Sequence, residues 1–317
     1  MTICIGILCD NSKKAIMISD KMITMPMLSQ EFEHETPKMA KLNNTCIAIS
    51  AGDALTPVEL FDHVTKDIRG IANPKVKEIV DKIKICYANL RKKFIEEEFL
   101  NSRGFTISSF YSRMSELSPQ IAIPIDNKIV EYDLGVDIVL GGKDDEGAHI
   151  YLIANPGIAR CFNGMGYVAV GSGMPHSLHS FITNNYNPDI SFKEALFLAY
   201  EAKRLAERAP GVGKKTDIWI INENGIKDVS PIVLKELEEI YEIKMKAQSD
   251  THQSVKKKIE NLAVWGVISM FKKNKKSEES NIAEYYEAER KYIILESEAL
   301  KKLHGKQVKK SKQLSNF

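Results

Sequence analysis

The sequence has no apolar run approaching the roughly 18–20 residues that a membrane-spanning helix needs. Its first residues also lack the basic flank and apolar core of a secretion signal, so the cytoplasm is the expected location. Cysteine is sparse: Cys4, Cys9, Cys46, Cys86 and Cys161 are odd in number and scattered. Without a CxxC pair they suggest neither a metal site nor a redox motif, and buried thiols are expected. An excess of one charge is missing too, because 44 Lys and Arg face 42 Asp and Glu for a formal net charge of +2. Nothing global therefore argues for nucleic acid or an acidic polymer as partner. No internal repeat is evident. His34, His176 and His179 have no further ligand at metal spacing and no HExxH frame, so neither metal nor cofactor is expected. Gly211-Val212-Gly213-Lys214-Lys215-Thr216 is not at Walker spacing and precedes a strand, which excludes a phosphate loop.

What is present suits a globular core: 44% of the 317 residues are hydrophobic, enough for one large domain or two modest ones. The apolar runs Thr2–Leu8 and Ala15–Ser19 flank a polar turn and predict a β-hairpin. Cys46–Ser50 predicts a third strand, followed by a helix over Pro57–Ile68 with proline in its first turn. Lys75–Leu100 carries apolar residues at three- and four-residue spacing and predicts a long helix. Short β-rich runs follow at Ile121–Pro124, Asp137–Gly141, His149–Ala154 and Tyr167–Val170. Helices are expected over Pro175–Asn184 and Ser191–Ala209, the latter opening on a Ser191/Glu194 capping box. Asp217–Asn222 reads as a final strand. The succession of strands, helices, strands, helices and strand fits sheets packed face to face with helices outside them, not a doubly wound sheet. Beyond about Pro231 the sequence is charged and helical. Its apolar stretch Ile259–Phe271 is expected to pack or bind a partner, and Lys301–Lys312 is rich in lysine.

A threonine that begins a chain carries its own base, because its free α-amine has an unperturbed pKa near 8. Thr2 behind Met1 meets that precondition, since methionine is normally trimmed before a small residue. Around it stand Thr2-Ile3-Cys4-Ile5-Gly6-Ile7 and Ile18-Ser19-Asp20-Lys21-Met22-Ile23-Thr24. Further on come Lys38-Met39-Ala40-Lys41-Leu42, Ile47-Ala48-Ile49-Ser50-Ala51-Gly52 and the turn Gly171-Ser172-Gly173. Together with Ser191–Ala206 and Thr216–Ile221, these blocks resemble a proteasome β-type subunit over roughly residues 2–225, interrupted by a longer middle.

The resemblance implies an α+β fold, a four-layer αββα sandwich of the N-terminal-nucleophile hydrolases. The domain would span 1–230 with a helical insertion at about 63–120, followed by a charged helical C-terminal extension over 231–317. It implies Thr2 as nucleophile, Lys38 as the cation that favours loss of the hydroxyl proton, and Asp20 as the group that holds Lys38. Ser172 would orient the amine or relay a proton, and the Gly52 N–H would face the oxyanion. Thr24 falls on the family's turn threonine. Thr36, Ala40, Ser50 and Ala54 would line a roomy, nearly uncharged pocket, which the long insertion after Asp62 could cover. One departure is plain: the aspartate and serine that contact the terminal threonine in active members are replaced by Ala209 and Val212. Glu207 could substitute, or Gly211 and Gly213 could leave only backbone there. The expected function is a threonine amidohydrolase acting on a peptide or other amide through an acyl ester, with transpeptidase or ligase as variants. The alternative is a non-catalytic assembly or binding subunit. Homo-oligomerisation is implied as well, and the partner of the C-terminal extension is open.

Overall fold

The computed structural model describes residues 2–25, 30–34 and 38–260; of Thr24, Met25, Gln30 and Glu31 it describes the backbone alone. The chain divides into two compact units, Met1–Ile243 and Lys244–Phe317. The apolar stretch Ile259–Phe271 lies outside the described residues apart from its first two positions, and Lys301–Lys312 lies wholly outside them.

Strands β1 (Cys4–Cys9) and β2 (Lys14–Asp20) form the expected antiparallel hairpin, with Cys4 opposite Ser19. Asp10, Asn11 and Ser12 turn the chain at positive φ, which short polar side chains tolerate better than most. All six residues of β1 are buried, so the run is continuously apolar instead of alternating: both faces of this strand are covered. β3 (Met22–Met25) pairs with β4 (Gln30–Glu33), and β5 (Met39–Lys41) pairs with β6 (Cys46–Gly52). Helices α1 (Thr56–Ile68) and α2 (Val76–Ile95) follow, α2 continuing into a π-helical turn over Glu96–Leu100. Then come the short α3 (Ile107–Ser112) and α4 (Pro119–Glu131).

Ile121–Pro124 is therefore helix, not strand. The short run Ile121-Ala122-Ile123, rich in β-branched residues, imitates a strand, but over the longer window Ala122, Ile125 and Ile129 form the buried face, which is helical spacing. Pro119 starts the helix, where its missing N–H costs nothing.

β7 (Val136–Asp144), β8 (Gly147–Ala154), β9 (Ile158–Cys161) and β10 (Tyr167–Val170) lead to α5 (Met174–Thr183) and α6 (Phe192–Ala206). At α6 the Ser191 hydroxyl accepts from the Glu194 N–H; the reciprocal half of the expected capping box is not formed. β11 (Thr216–Asn222) is not the last strand, because β12 (Gly225–Asp228) folds back on it. α7 (Pro231–Glu260) closes the described chain.

Two five-stranded antiparallel sheets result, in the orders β10-β1-β2-β11-β12 and β5-β6-β7-β8-β9. Their facing surfaces share one core, with Cys4, Leu8, Met17 and Ile221 from the first sheet against Ile49, Val139 and Ile150 from the second. A Cβ at Gly141 would lie 2.4 Å from Met17 Sδ, so a larger residue there would have to displace the Met17 side chain between the sheets. Leu60, Val64, Ile79, Ile83 and Tyr87 of α1 and α2 cover the other face of the second sheet, while α5 and α6 contact β10, β1 and β2. Each such fully buried side chain contributes about 1.5–3 kcal/mol. Of the cysteines, Cys4, Cys9 and Cys46 are buried as expected; Cys86 is half-buried and Cys161 is exposed.

Residues 95–129 hold a satellite core of Ile95, Leu100, Phe110, Ile125 and Ile129. Arg91 ties it to α2 by donating to the Ile129 and Tyr132 carbonyls at 2.9 and 3.0 Å. Phe110→Ala should cost about 3–5 kcal/mol locally. The expected readout is hydrogen exchange that accelerates across 96–131 while β1 and β2 stay protected; acceleration across the whole molecule would contradict a separate core.

Candidate active site

Asp20 ends β2, and its carboxylate is fully buried. The strand pairing delivers it there: Asp20 stands opposite Thr216 of β11, and its own N–H donates to the Ile3 carbonyl at 3.3 Å. Three backbone N–H groups hold the carboxylate, from Ile3 to Oδ1 at 3.1 Å and from Met22 and Gly213 to Oδ2 at 3.2 and 2.8 Å. A buried charge of this kind persists only when it is hydrogen-bonded and paired. The pairing partner is Lys38, one residue before β5, whose Nζ lies 2.8 Å from Oδ1.

Thr2 precedes β1 and is 4% exposed. Its hydroxyl donates to Asp20 Oδ1 and accepts from Lys38 Nζ. The Thr2 carbonyl accepts from the Ser172 hydroxyl and from the Gly173 N–H, each at 3.4 Å. Ser172 also donates to the Pro210 carbonyl at 3.1 Å. Ser172 thus meets Thr2 through the carbonyl. Gly171 sits at φ +102°, and a Cβ there would be 2.2 Å from the Thr2 carbonyl oxygen. Only glycine allows the β10–α5 turn to pass so close.

Two clefts meet at Thr2 and Gly52. The first, of about 310 Å³, is lined by Met22, Ile23, Met39, Ala40, Ser50, Ala54, Pro57, Val58 and Phe61, with Lys38, Asp53 and Asp62 as its charged members. Ala40, Ser50 and Ala54 are thus in the same cleft wall as Thr2. The expectation of a nearly uncharged pocket is corrected by the two aspartates, and among the described residues none of 63–131 covers the cleft. Thr36 lies outside the described residues; Thr24 stands on β3 opposite Glu31. The second cleft, of about 330 Å³, runs between the Asp133–Asp137 segment of the β7 strand end and the Gly171-Ser172 turn. Burial, reinforced by the charge of Asp133, raises the Asp137 carboxyl above the ordinary carboxylate range.

Ala209 and Val212 are buried, at 8% and 7% exposure, and bring no polar side chain to Thr2. Glu207 pairs instead with Lys203 at 2.6 Å and with Arg204 at 3.3 Å. The loop reaches the site through backbone alone, by the Gly213 N–H and the Pro210 carbonyl. The neighbouring thiol is no rival nucleophile: Cys4 Sγ donates to the Ser50 carbonyl at 3.2 Å, and burial pushes its pKa up to about 12, far from the thiolate form that reacts. No cluster of three or more His, Cys, Asp or Glu at metal-binding distance occurs among the described residues. None of the described helices is long and apolar enough to cross a membrane.

The chain is similar to the proteasome β subunits, a likeness that supports the N-terminal-nucleophile hydrolase superfamily. It is 38% identical over 90 residues to proteasome subunit beta 1 of Desulfurococcus amylolyticus, covering 28% of this chain and 43% of that protein. It is 33% identical over 93 residues to proteasome subunit beta 2 of Pyrobaculum calidifontis, covering 29% and 44%. A longer match, 25% identical over 208 residues, is to the probable proteasome subunit beta type-2 of Schizosaccharomyces pombe, covering 62% of this chain and 74% of that protein. The chain spans less than half the length of the first relatives it matches, 42–44%. No protein-family model matches it.

Gly171→Ala should cost about 1–3 kcal/mol through the positive φ alone, with more from the contact on Thr2. A thermal unfolding scan is expected to show a lowered Tm. A variant melting with the wild type would mean that the turn does not press on Thr2 as described.

Proposed function

We propose that this chain is an N-terminal threonine amidohydrolase of the peptidase type, acting through an acyl ester on Thr2. The observation that carries the reading is the Thr2 hydroxyl in simultaneous hydrogen-bond contact with Lys38 Nζ and Asp20 Oδ1 at the junction of two clefts. The two sheets with helices against their outer faces support the four-layer αββα architecture; a domain at 1–230 followed by an extension at 231–317 belongs to the same proposal.

The chemistry requires that the bond before Thr2 be cut, which frees the α-amine. That amine then takes the Oγ1 proton as Oγ1 attacks the amide carbon. The Lys38 ammonium beside Oγ1 favours the developing alkoxide, and Asp20 keeps that ammonium in place. The oxyanion would meet the Gly52 N–H, a kind of contact whose loss costs about 2.7–4 kcal/mol in other enzymes. Collapse breaks the C–N bond and returns the proton from the α-ammonium to the leaving amine. Water, deprotonated by the same amine, then hydrolyses the ester; capture by an amine instead of water gives the transpeptidase variant. Ser172 and Gly173 hold the Thr2 carbonyl and so fix the nucleophile's main chain.

The relatives are named as subunits, and association of this chain with further copies, in the cytoplasm, belongs to the same proposal. Ala209 and Val212 motivate the second reading, a non-catalytic binding subunit. Cleavage of internally quenched peptides separates the two. The catalytic reading expects turnover by the native protein, none by Thr2→Ala, and a loss of about 10²–10⁴-fold in kcat for Lys38→Met. Equal turnover by Thr2→Ala and native protein would refute it.

A further inference from the structure

The loop from Pro210 to Lys215 meets Asp20 and Ser172 through its backbone, and α6 holds it from behind. Lys203 of α6 is fully buried, and its ammonium donates to Glu207 Oε1 and to the Lys214 carbonyl, each at 2.6 Å. One residue before that carbonyl, the Gly213 N–H donates to Asp20 Oδ2 at 2.8 Å. On the far side, Arg204 Nε lies 3.3 Å from Glu207 Oε2, and its Nη1 donates to Glu238 of α7. The Tyr200 hydroxyl donates to the same Glu238 carboxylate, and the Arg204 guanidinium lies 5.0 Å from the Tyr241 ring centre. Leu237 and Tyr241 anchor that turn of α7 by burial. A continuous run of contacts thus links α7 to the carboxylate that holds Lys38.

A lysine so buried is costly, because an apolar side chain of the same volume would fill the space without the desolvation of an ammonium. Burial draws the Lys203 pKa below its ordinary value, against the opposing charges of Glu207 and Asp20. What the ammonium does that an apolar group cannot is grip the Lys214 carbonyl. That grip on the Lys214 carbonyl, together with the Lys215 N–H donating to Glu33 Oε1 at 2.8 Å, holds the loop just after the Gly213 N–H.

We propose that Lys203 is a positioning residue for Asp20, and that α7, through Glu238 and Arg204, is part of the device that keeps the Thr2 site assembled. The catalytic consequence rests on the Thr2 reading above; the positioning itself does not. Two measurements on the full chain separate them. The first is inactivation by a β-lactone, resolved into its maximal rate and half-saturating concentration. The second is hydrogen exchange at the Gly213 amide in untreated protein. A misplaced catalytic group typically costs up to about 10²-fold. Lys203→Met is therefore expected to lower the maximal rate by about tenfold with half-saturation unchanged, and to speed Gly213 exchange by a similar factor, both restored in part by Lys203→Arg. Glu238→Gln, at a partly exposed position, should act in the same direction by about threefold, and it carries the test if Lys203→Met does not fold. Unchanged Gly213 exchange in the variants that fold overturns the positioning role, as does a loss carried by half-saturation alone. A wild type that is not labelled at all refutes the Thr2 reading, while Gly213 exchange still decides the positioning.

Discussion

The structure around Thr2 depends on a single buried charge. A carboxylate taken out of water costs several kcal/mol unless every lone pair finds a donor, and Asp20 is fully buried. Its donors come from four separate stretches of chain: Ile3 before the core of β1, Met22 at the start of β3, Lys38 ahead of β5, and Gly213 in the loop after α6. Satisfying this one group forces those stretches together. The Thr2 hydroxyl enters the same cluster, so the arrangement that satisfies Asp20 also places a hydroxyl beside the Lys38 amine group. Stability and chemistry share one set of contacts.

The scaffold explains why this cluster falls where two clefts meet. β1 and β2 are central in their sheet, buried against helices on one side and the second sheet on the other. Their ends are the natural places for polar groups to appear. Gly171 and Gly52, both at positive φ, let the neighbouring chain approach those ends more closely than any side chain would permit. The cleft beside Thr2 is walled by the first turns of α1 and the edge strand β5, with Asp53 and Asp62 adding negative charge.

Much of this was legible from residue order. Thr2, Asp20, Lys38 and Ser172 occur as short blocks whose spacing resembles the proteasome β subunits, and the structure brings all four into one cluster. The long periodic segments were legible for the usual reason, that a buried helical face repeats every three to four residues. What escaped was local or non-local in a specific way. Ile121–Pro124 is a short β-rich run like a strand, yet its helical partners Ile125 and Ile129 lie just beyond. β9 and β12 have four residues each, too short for a periodic pattern to register as strands. The charge of the first cleft comes from Asp53 and Asp62, whose facing direction is set by the start of α1. Lys203 reads in sequence as one more charged helix residue; only the fold reveals that its ammonium is enclosed.

The central claim is that Thr2, held by Asp20 and Lys38, is a nucleophile with a free amine. Tandem mass spectrometry of the native protein after β-lactone treatment tests it most directly. The account predicts an N-terminal peptide beginning at Thr2 and carrying the opened lactone on that residue. A native protein that retains Met1 on Thr2, or an adduct found on any other residue, would contradict it.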